Sequence, residues 1–264
     1  MLFRSKECLE KALAIKKEIG DSEGERRYYG NLGNVFASLG EYAKAKEFLE
    51  KDLTLRIEVS DIKGEASCYV NLGTVLQYLG EYVKAKECYN KALTIRTKIG
   101  HRGEGADYAN LGSVSLCLGE YYKAKDYTEK ALMITKEIGD RSGEATCYGN
   151  LGTAYLYLGQ FVKAKGFFEK ALTINQEIGS RDGEAAGYGD LGNVFQSLGD
   201  YVNAKEYFEK ALAIRKEIGD RKGESLSYGN LGNVYESLGN YEEANDSHEQ
   251  ALAIALDIDR KSVV

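Results

Sequence analysis

The dipeptide Leu-Gly recurs at Leu32-Gly33, Leu72-Gly73, Leu111-Gly112, Leu151-Gly152, Leu191-Gly192 and Leu231-Gly232, at intervals of 40, 39, 40, 40 and 40 residues. A second Leu-Gly follows each by seven residues, from Leu39-Gly40 to Leu238-Gly239. A chain with this self-similarity buries its apolar faces by stacking like units, because one short unit cannot cover a core alone. Six copies run from residue 21 onward, and residues 1–20 match only the second half of a copy. The expected organisation is therefore one array. Residues 1–20 form the second helix of a truncated repeat. Residues 21–264 form six helix-turn-helix repeats in one solenoid, closed by a cap-like last helix.

Each copy reads as two helices. In the sixth, Asp220 is the expected N-cap, and Asp21, Asp61, Asp140 and Ser180 occupy the same slot. Tyr228, Leu231, Val234, Tyr235 and Leu238 then follow the spacing of one helical face, and Gly239 ends the helix. The second helix, such as Tyr201 to Ile218, carries Tyr201, Ala204, Phe208, Ala211, Leu212 and Ile214 on its apolar side and closes at Gly219. Alternation of period two is absent, so the fold class expected is all-α.

Composition follows from this register. The chain has 30 Gly and no Pro, against about 18 and 13 at average usage. Six of the glycines (Gly33, Gly73, Gly112, Gly152, Gly192 and Gly232) fall inside first helices, where Gly costs about 1 kcal/mol relative to Ala. Their repetition predicts close approach of the second helix, with Ala45, Ala85, Ala124, Ala164, Ala204 and Ala244 as the small residues meeting them. No Gly-rich segment carries the Lys-Ser or Lys-Thr pair of a phosphate loop.

Tyr29, Leu32, Gly33, Phe36, Ala45 and, one copy on, Ala92 stand at the signature spacing of the tetratricopeptide repeat, which the chain resembles over its whole length. The usual unit of that family has 34 residues and a terminal Pro; the longer, Pro-free copies here imply extended second helices. The Tyr-Gly-Asn-Leu-Gly-Asn core and the Glu-Ile-Gly-Asp-Arg-x-Gly-Glu junction (Glu217 to Glu224) resemble the array of Pins-type spindle-orientation adaptors, the G-protein-signalling modulators. Those adaptors carry GoLoco motifs beyond the array, and this chain has none. The resemblance implies a right-handed superhelix whose first helices line a concave groove for an extended peptide.

The first helices are indeed distinct in charge. Segments 26–39, 66–79, 105–118, 145–158, 185–198 and 225–238 hold 84 residues, of which only Arg26, Arg27, Asp107, Asp190 and Glu236 are charged. At 29% charged the count would be about 24. Within them Asn31, Asn71, Asn110, Asn150 and Asn230 precede each Leu-Gly, with Asp190 in the fifth slot. Asn34, Asn193 and Asn233 follow it, replaced by Thr74, Ser113 and Thr153 in the middle copies. Helix interiors disfavour Asn. Either these amides pair with the backbone of a bound peptide or they hold neighbouring repeats in register. One turn on, Gln77/Tyr78, Leu116/Cys117, Leu156/Tyr157 and Gln196/Ser197 offer either a recognition floor or core packing, and Arg27 is a candidate anchor for an acidic ligand group or a solvated side chain. The expected peptide-binding set is Arg27, Asn31, Asn34, Asn71, Gln77, Tyr78, Asn110, Asn150, Tyr157, Asn193, Gln196, Asn230 and Asn233. The slot that holds Lys in chaperone-tail clamps is Gly30, Val70, Ala109, Gly149, Gly189 and Gly229 here, so no such tail is expected to bind.

Other function classes fit poorly. A net charge of −6 without a basic stripe argues against nucleic acid and anionic membrane. There is no apolar run of transmembrane length and no apolar leader at Met1 to Glu7. Cys8, Cys68, Cys88, Cys117 and Cys147 are odd in number and far apart, which reads as reduced thiols in a cytoplasmic protein. The two histidines, His101 and His248, are distant in the repeat order, and neither a catalytic triad nor a metal-ligand spacing emerges, so no enzyme, cofactor or metal is expected. The partner expected is a protein or peptide. The alternative is a self-associating structural array, a homodimer for instance, without a dedicated ligand. Departures between copies mark local expectations. Asp52 replaces Ala and must reach water or weaken its repeat. Ser115 and Thr128 replace aromatics, the third copy is one residue short near His101 and Arg102, and Ser247 and His248 suit a solvent-facing cap.

Overall fold

The computed structural model describes residues 2–100 and 103–262 and contains thirteen α-helices and no strand among them. The short junction at His101 and Arg102 lies outside the described residues. The helices are α1 (Leu2–Glu18), α2 (Ser22–Ser38), α3 (Tyr42–Glu58), α4 (Ile62–Tyr78), α5 (Tyr82–Ile99), α6 (Glu104–Cys117) and α7 (Tyr121–Ile138). They continue with α8 (Arg141–Tyr157), α9 (Phe161–Glu177), α10 (Arg181–Ser197), α11 (Tyr201–Ile218), α12 (Arg221–Leu238) and α13 (Tyr241–Ser262). The all-α reading of the periodicity holds. Even-numbered helices are the first and odd-numbered ones the second of each repeat.

The helix ends follow from the residues placed there. The side chains of Asp21, Asp61, Asp140, Ser180 and Asp220 each accept a hydrogen bond from the amide of the glycine three residues on, as at Asp220 and Gly223 (2.9 Å). Each such cap contributes about 1 kcal/mol. At the other end Gly219 and Gly239 adopt φ of 72° and 79°, a left-handed conformation that Gly enters without a Cβ penalty.

The chain divides into two compact units, Met1–Ile134 and Thr135–Val264. In the first, α1 to α6 pack consecutively, helix on helix, around a core that includes Leu32, Phe36, Leu49, Leu72, Tyr89, Leu111 and Val114. In the second, α8 to α13 do the same around Ala164, Phe168, Leu191 and Val194, and around Ala204, Phe208, Leu231 and Val234.

The helix-interior glycines do mark close approach, but the groups that meet them are not the expected ones. A methyl group on Gly192 would lie 2.6 Å from Phe208 Cε1, and one on Gly152 equally close to Phe168. Leu49, Tyr89, Thr128 and His248 stand over Gly33, Gly73, Gly112 and Gly232 in the same way. The partner is thus a side chain one turn beyond Ala45 and its equivalents. Their backbone is the secondary contact, as for Ala45 O at 3.4 Å from a methyl on Gly33. A helical side chain leans toward the N-terminus of its own helix, which carries this residue back over the glycine.

Two local expectations change. Asp52 is buried but not alone: Arg56 Nε donates to its Oδ2 over 2.8 Å. Ser247, expected at a solvent-facing cap, is buried, and its hydroxyl donates to Glu243 O at 2.7 Å; replacing an aromatic by a small polar residue left the slot closed. Ser115 and Thr128 are likewise buried, with Thr128 Oγ1 donating to Ala124 O at 2.7 Å. Cys88 is a packing residue, whereas Cys8 is exposed. No helix among the described residues is long and apolar enough to cross a membrane.

Candidate functional site

The first unit contains a cavity of about 340 Å³ between α4 and α6, floored by α5. Gln77, Tyr78 and Asn110 line it, together with Thr74, Tyr82, Tyr89 and Cys117. Gln77 is held at two points: its Nε2 donates to Ser113 Oγ at 3.0 Å, and its Oε1 accepts from the Tyr89 hydroxyl at 3.2 Å. Tyr89 also pairs with the Thr74 hydroxyl (3.2 Å), and burial pushes its phenol up to about 12. Tyr78 is 66% exposed and stacks on Tyr42, with ring centroids 4.8 Å apart and planes within 6°. A fixed amide, an exposed aromatic face and a free Asn therefore share one concavity.

The second unit contains a cavity of about 360 Å³ between α8 and α10, floored by α9. Asn150 and Asp190 line it with Ser142, Thr146, Thr153, Asn175 and Asp182, and Gly149, Gly183 and Gly187 keep its walls low. Its lining holds two carboxylates and no cation. Asp190 retains some exposure through the mouth, yet desolvation by the surrounding helices pushes its carboxyl up to about 7, against a smaller opposing pull from Arg215.

The amides of Asn31, Asn110, Asn150, Asn193, Asn230 and Asn233 make no side-chain hydrogen bond among the described residues, and Asn110 and Asn150 are the two that reach the cavities. Asn71 differs: its Nδ2 donates to Asn34 Oδ1 at 3.1 Å, so that pair links two adjacent repeats. Arg27, Asn31, Asn34 and Asn233 are exposed on their helices, and Tyr157 is 63% exposed. Asn193, Gln196 and Asn230 are half-buried and line neither cavity.

Sequence reasoning missed the floor residues Tyr82, Tyr89 and Asn175, because it placed recognition on first helices alone. Tyr89 carried a signal: it fills a slot held elsewhere by Leu49, Phe168 and Phe208, and a hydroxyl in a core slot needs a partner. A third cavity, about 330 Å³ on α4 and α5, is lined by Glu65, Tyr69, Asn90, Lys91, Thr94 and Ile95 and includes no expected residue.

Reactive chemistry finds little support in the buried groups. Burial pushes the Cys147 thiol up to about 11 and raises those of Cys68 and Cys88 as well, which suppresses the nucleophilic thiolate. Among the described residues no cluster of three or more His, Cys, Asp or Glu has the geometry of a metal site.

Comparison with known proteins bears on the architecture. The chain is similar to BtubC (BKLC) from P. vanneervenii, at 24% identity and a TM-score of 0.64, with 84% of this chain and 91% of that one covered. It is similar to a STAND signal-transduction ATPase with a tetratricopeptide repeat sensor from Pyrococcus horikoshii, at 22% identity and a TM-score of 0.71, over 97% of this chain and 40% of that one. It is also similar to a Rap protein complexed with Competence and Sporulation Factor, at 16% identity and a TM-score of 0.72, over 90% and 76% of the two chains. No curated protein sequence matches it. Models of the tetratricopeptide repeat match residues 2–58, 104–177 and 183–257, and a further one matches residues 66–96. With helix pairs, caps and repeat register in agreement, the chain belongs to the tetratricopeptide repeat family.

Proposed function

We propose that this protein is a protein-interaction scaffold whose first helices bind an extended segment of a partner peptide. The observation that carries the reading is the pair of cavities between successive first helices, each holding an Asn amide with no side-chain partner, Asn110 in one and Asn150 in the other. An amide presents both a donor and an acceptor, which suits the alternating N–H and C=O groups of an extended backbone. The scarcity of charge on these helices lowers the desolvation cost of such a ligand. The family is generally a non-enzymatic scaffold, and a Rap protein of the same fold is known in complex with Competence and Sporulation Factor. The junction sequences that resemble Pins-type adaptors support an adaptor role.

A fluorescent library of ten-residue peptides titrated against the chain and against Asn110→Ala and Asn150→Ala tests this. Each lost hydrogen bond should cost about 0.5–1.5 kcal/mol, roughly a 2- to 12-fold weakening. Unchanged affinity in both variants would sink the groove reading. A second reading, self-association, draws on α13, where Leu252 and Leu256 are 59% and 55% exposed. Sedimentation velocity across a hundredfold concentration range decides it, since a dimer must grow with concentration and a scaffold monomer must not.

A further inference from the structure

One column of the repeat places a long cation over the start of each following first helix. Lys16, Arg56, Arg96 and Arg215 occupy it, and Thr135 and Asn175 interrupt it. Arg96 and Arg215 fill this seat in like manner, whereas Lys16 and Arg56 pair with the capping carboxylates of Asp21 and Asp61. Arg215 Nη1 donates to Gly223 O and to Ser227 Oγ, both at 2.8 Å, while a methyl on Gly189 would lie 3.5 Å from its Nη2. Arg96 Nη1 likewise donates to Asp107 Oδ1 at 2.6 Å, with Asp107 in the slot of Ser227. The Arg215 guanidinium thus lies between Gly189 of one first helix and the first turns of the next, while the Gly189 slot in the Arg96 copy holds Val70.

Between the fourth and fifth copies the seat keeps small-residue walls, but Asn175 replaces the arginine and Gly187 replaces Ser227, so the hydroxyl acceptor is missing. Gly149, Gly183 and Gly187 stand where Gly189, Gly223 and Ser227 enclose Arg215, and all three line the cavity of the second unit. Asn175 reaches only as far as Gly183, where a methyl would lie 2.5 Å from its Cγ, and the space beyond is open. Unlike the other copies, the fifth carries an acid, Asp190, in the slot before Leu-Gly, and Asp190 also lines the opening. The cation that acts on it, Arg215, donates to Gly223 O and Ser227 Oγ of α12 and makes no ion pair with it.

We propose that this vacated seat binds an arginine side chain of the partner segment, its planar guanidinium entering between Gly149 and Gly187 and its charge meeting Asp190. The proposal rests on the peptide-binding reading and names the residue type that reading leaves open. The seat suits a guanidinium because Arg215 fills its counterpart one copy on, and because fixed donors in a plane match backbone carbonyls and a carboxylate together. Asp182 at the rim adds a second negative charge, and the remaining lining is neutral. Desolvation in this lining raises the carboxyl of Asp190 despite the pull of Arg215, and a bound cation would offset that cost.

The test uses N-acetyl-arginine amide as probe, titrated into isotopically labelled full chain and followed by amide NMR. Saturable shifts confined to Gly149, Gly187, Asp190 and their neighbours are expected, with the neutral isostere N-acetyl-citrulline amide at least tenfold weaker. Asp190→Asn should weaken the arginine probe tenfold or more, and Asn175→Arg, which refills the seat from within, should abolish its shifts. Equal response to the arginine and citrulline probes, or arginine binding untouched by Asn175→Arg, would overturn the proposal. Peptides that bind through Asn110 and Asn150 with no preference for arginine would also overturn it while leaving the groove reading intact. Probe binding without any peptide binding would keep the cation seat and remove the groove reading.

Discussion

Asn71 donates from its side-chain amide to the side-chain oxygen of Asn34, 3.1 Å away in the preceding repeat. The pair shows what the Asn columns do where two amides can reach one another: they tie successive first helices. Asn110 and Asn150 have no such partner and open on cavities instead. Asn71→Ala should therefore lower stability by about 0.5 kcal/mol, the small figure reflecting its exposure. It should change peptide affinity less than Asn150→Ala does. Urea midpoints and parallel peptide titrations separate the two effects. A larger affinity loss for Asn71→Ala would reverse the assignment.

Glycine at a helix interior ordinarily costs stability, and replacing it with Ala should help unless something occupies the space. A methyl group on Gly229 would meet nothing within 4 Å, and Gly229→Ala should stabilise by about 0.5–1 kcal/mol. Gly192 faces the fully buried ring of Phe208, 2.6 Å from where a methyl would sit, and Gly192→Ala should destabilise by about 1–2 kcal/mol after its propensity gain is counted. The double variant Gly192→Ala/Phe208→Leu should recover part of that loss. Thermal denaturation of the set reads all three signs.

Asp107 is fully buried, and its Oδ1 accepts from Arg96 at 2.6 Å. Arg96→Met removes the counter-charge and should destabilise by about 3–5 kcal/mol, as for other broken buried pairs. Adding Asp107→Ser, the residue found in the sixth copy, should restore much of this loss by removing the buried charge. A double-mutant cycle by urea denaturation measures the coupling. Additive losses would show that the two groups do not depend on each other.

The carboxyl of Asp190 is raised from 3.8 to about 7 in the folded protein, so the folded state binds more protons than the unfolded state between those values. Stability must then fall as pH rises through that window, the reverse of a salt-bridged carboxylate. The charged groups around it are Arg215 from α11, which opposes the shift, and Asp182 on its own helix; α8 and α9 face it with neutral residues. Asp190→Asn should leave stability near pH 4 almost unchanged and raise it at pH 8 by on the order of 1–3 kcal/mol. Chemical denaturation at pH 4, 6 and 8 follows the difference, and a constant offset between variant and parent would exclude the raised pKa.

The helices were legible in the sequence because their ends are written in residues with local chemistry. Asp220 caps through its own side chain and Gly219 or Gly239 turns through its own φ, so neither depends on distant contacts. The partner of each interior glycine was less legible. Ala45 is the small residue in the right helix, yet it is the lean of Leu49 along that helix that brings a side chain over Gly33. Asn110, Asn150, Gln77 and Tyr78 were readable as polar or aromatic breaks in an apolar pattern, and the structure brings them to cavities. Asn175 was not readable, since a lone Asn on a second helix carries no signal. Its meaning comes from Arg215, which stands in the same column one copy on, and from Gly183 and Gly187 beneath it.

Within each unit, helices pack on chain neighbours one or two places away. Contacts therefore close over distances of about one 40-residue copy, and each closure costs little chain entropy. A newly made repeat can dock on its predecessor as soon as its own residues emerge from the ribosome, with no need to await the far end of the chain. The order of synthesis is then also an order of assembly, and a copy added or lost by recombination would leave that order intact.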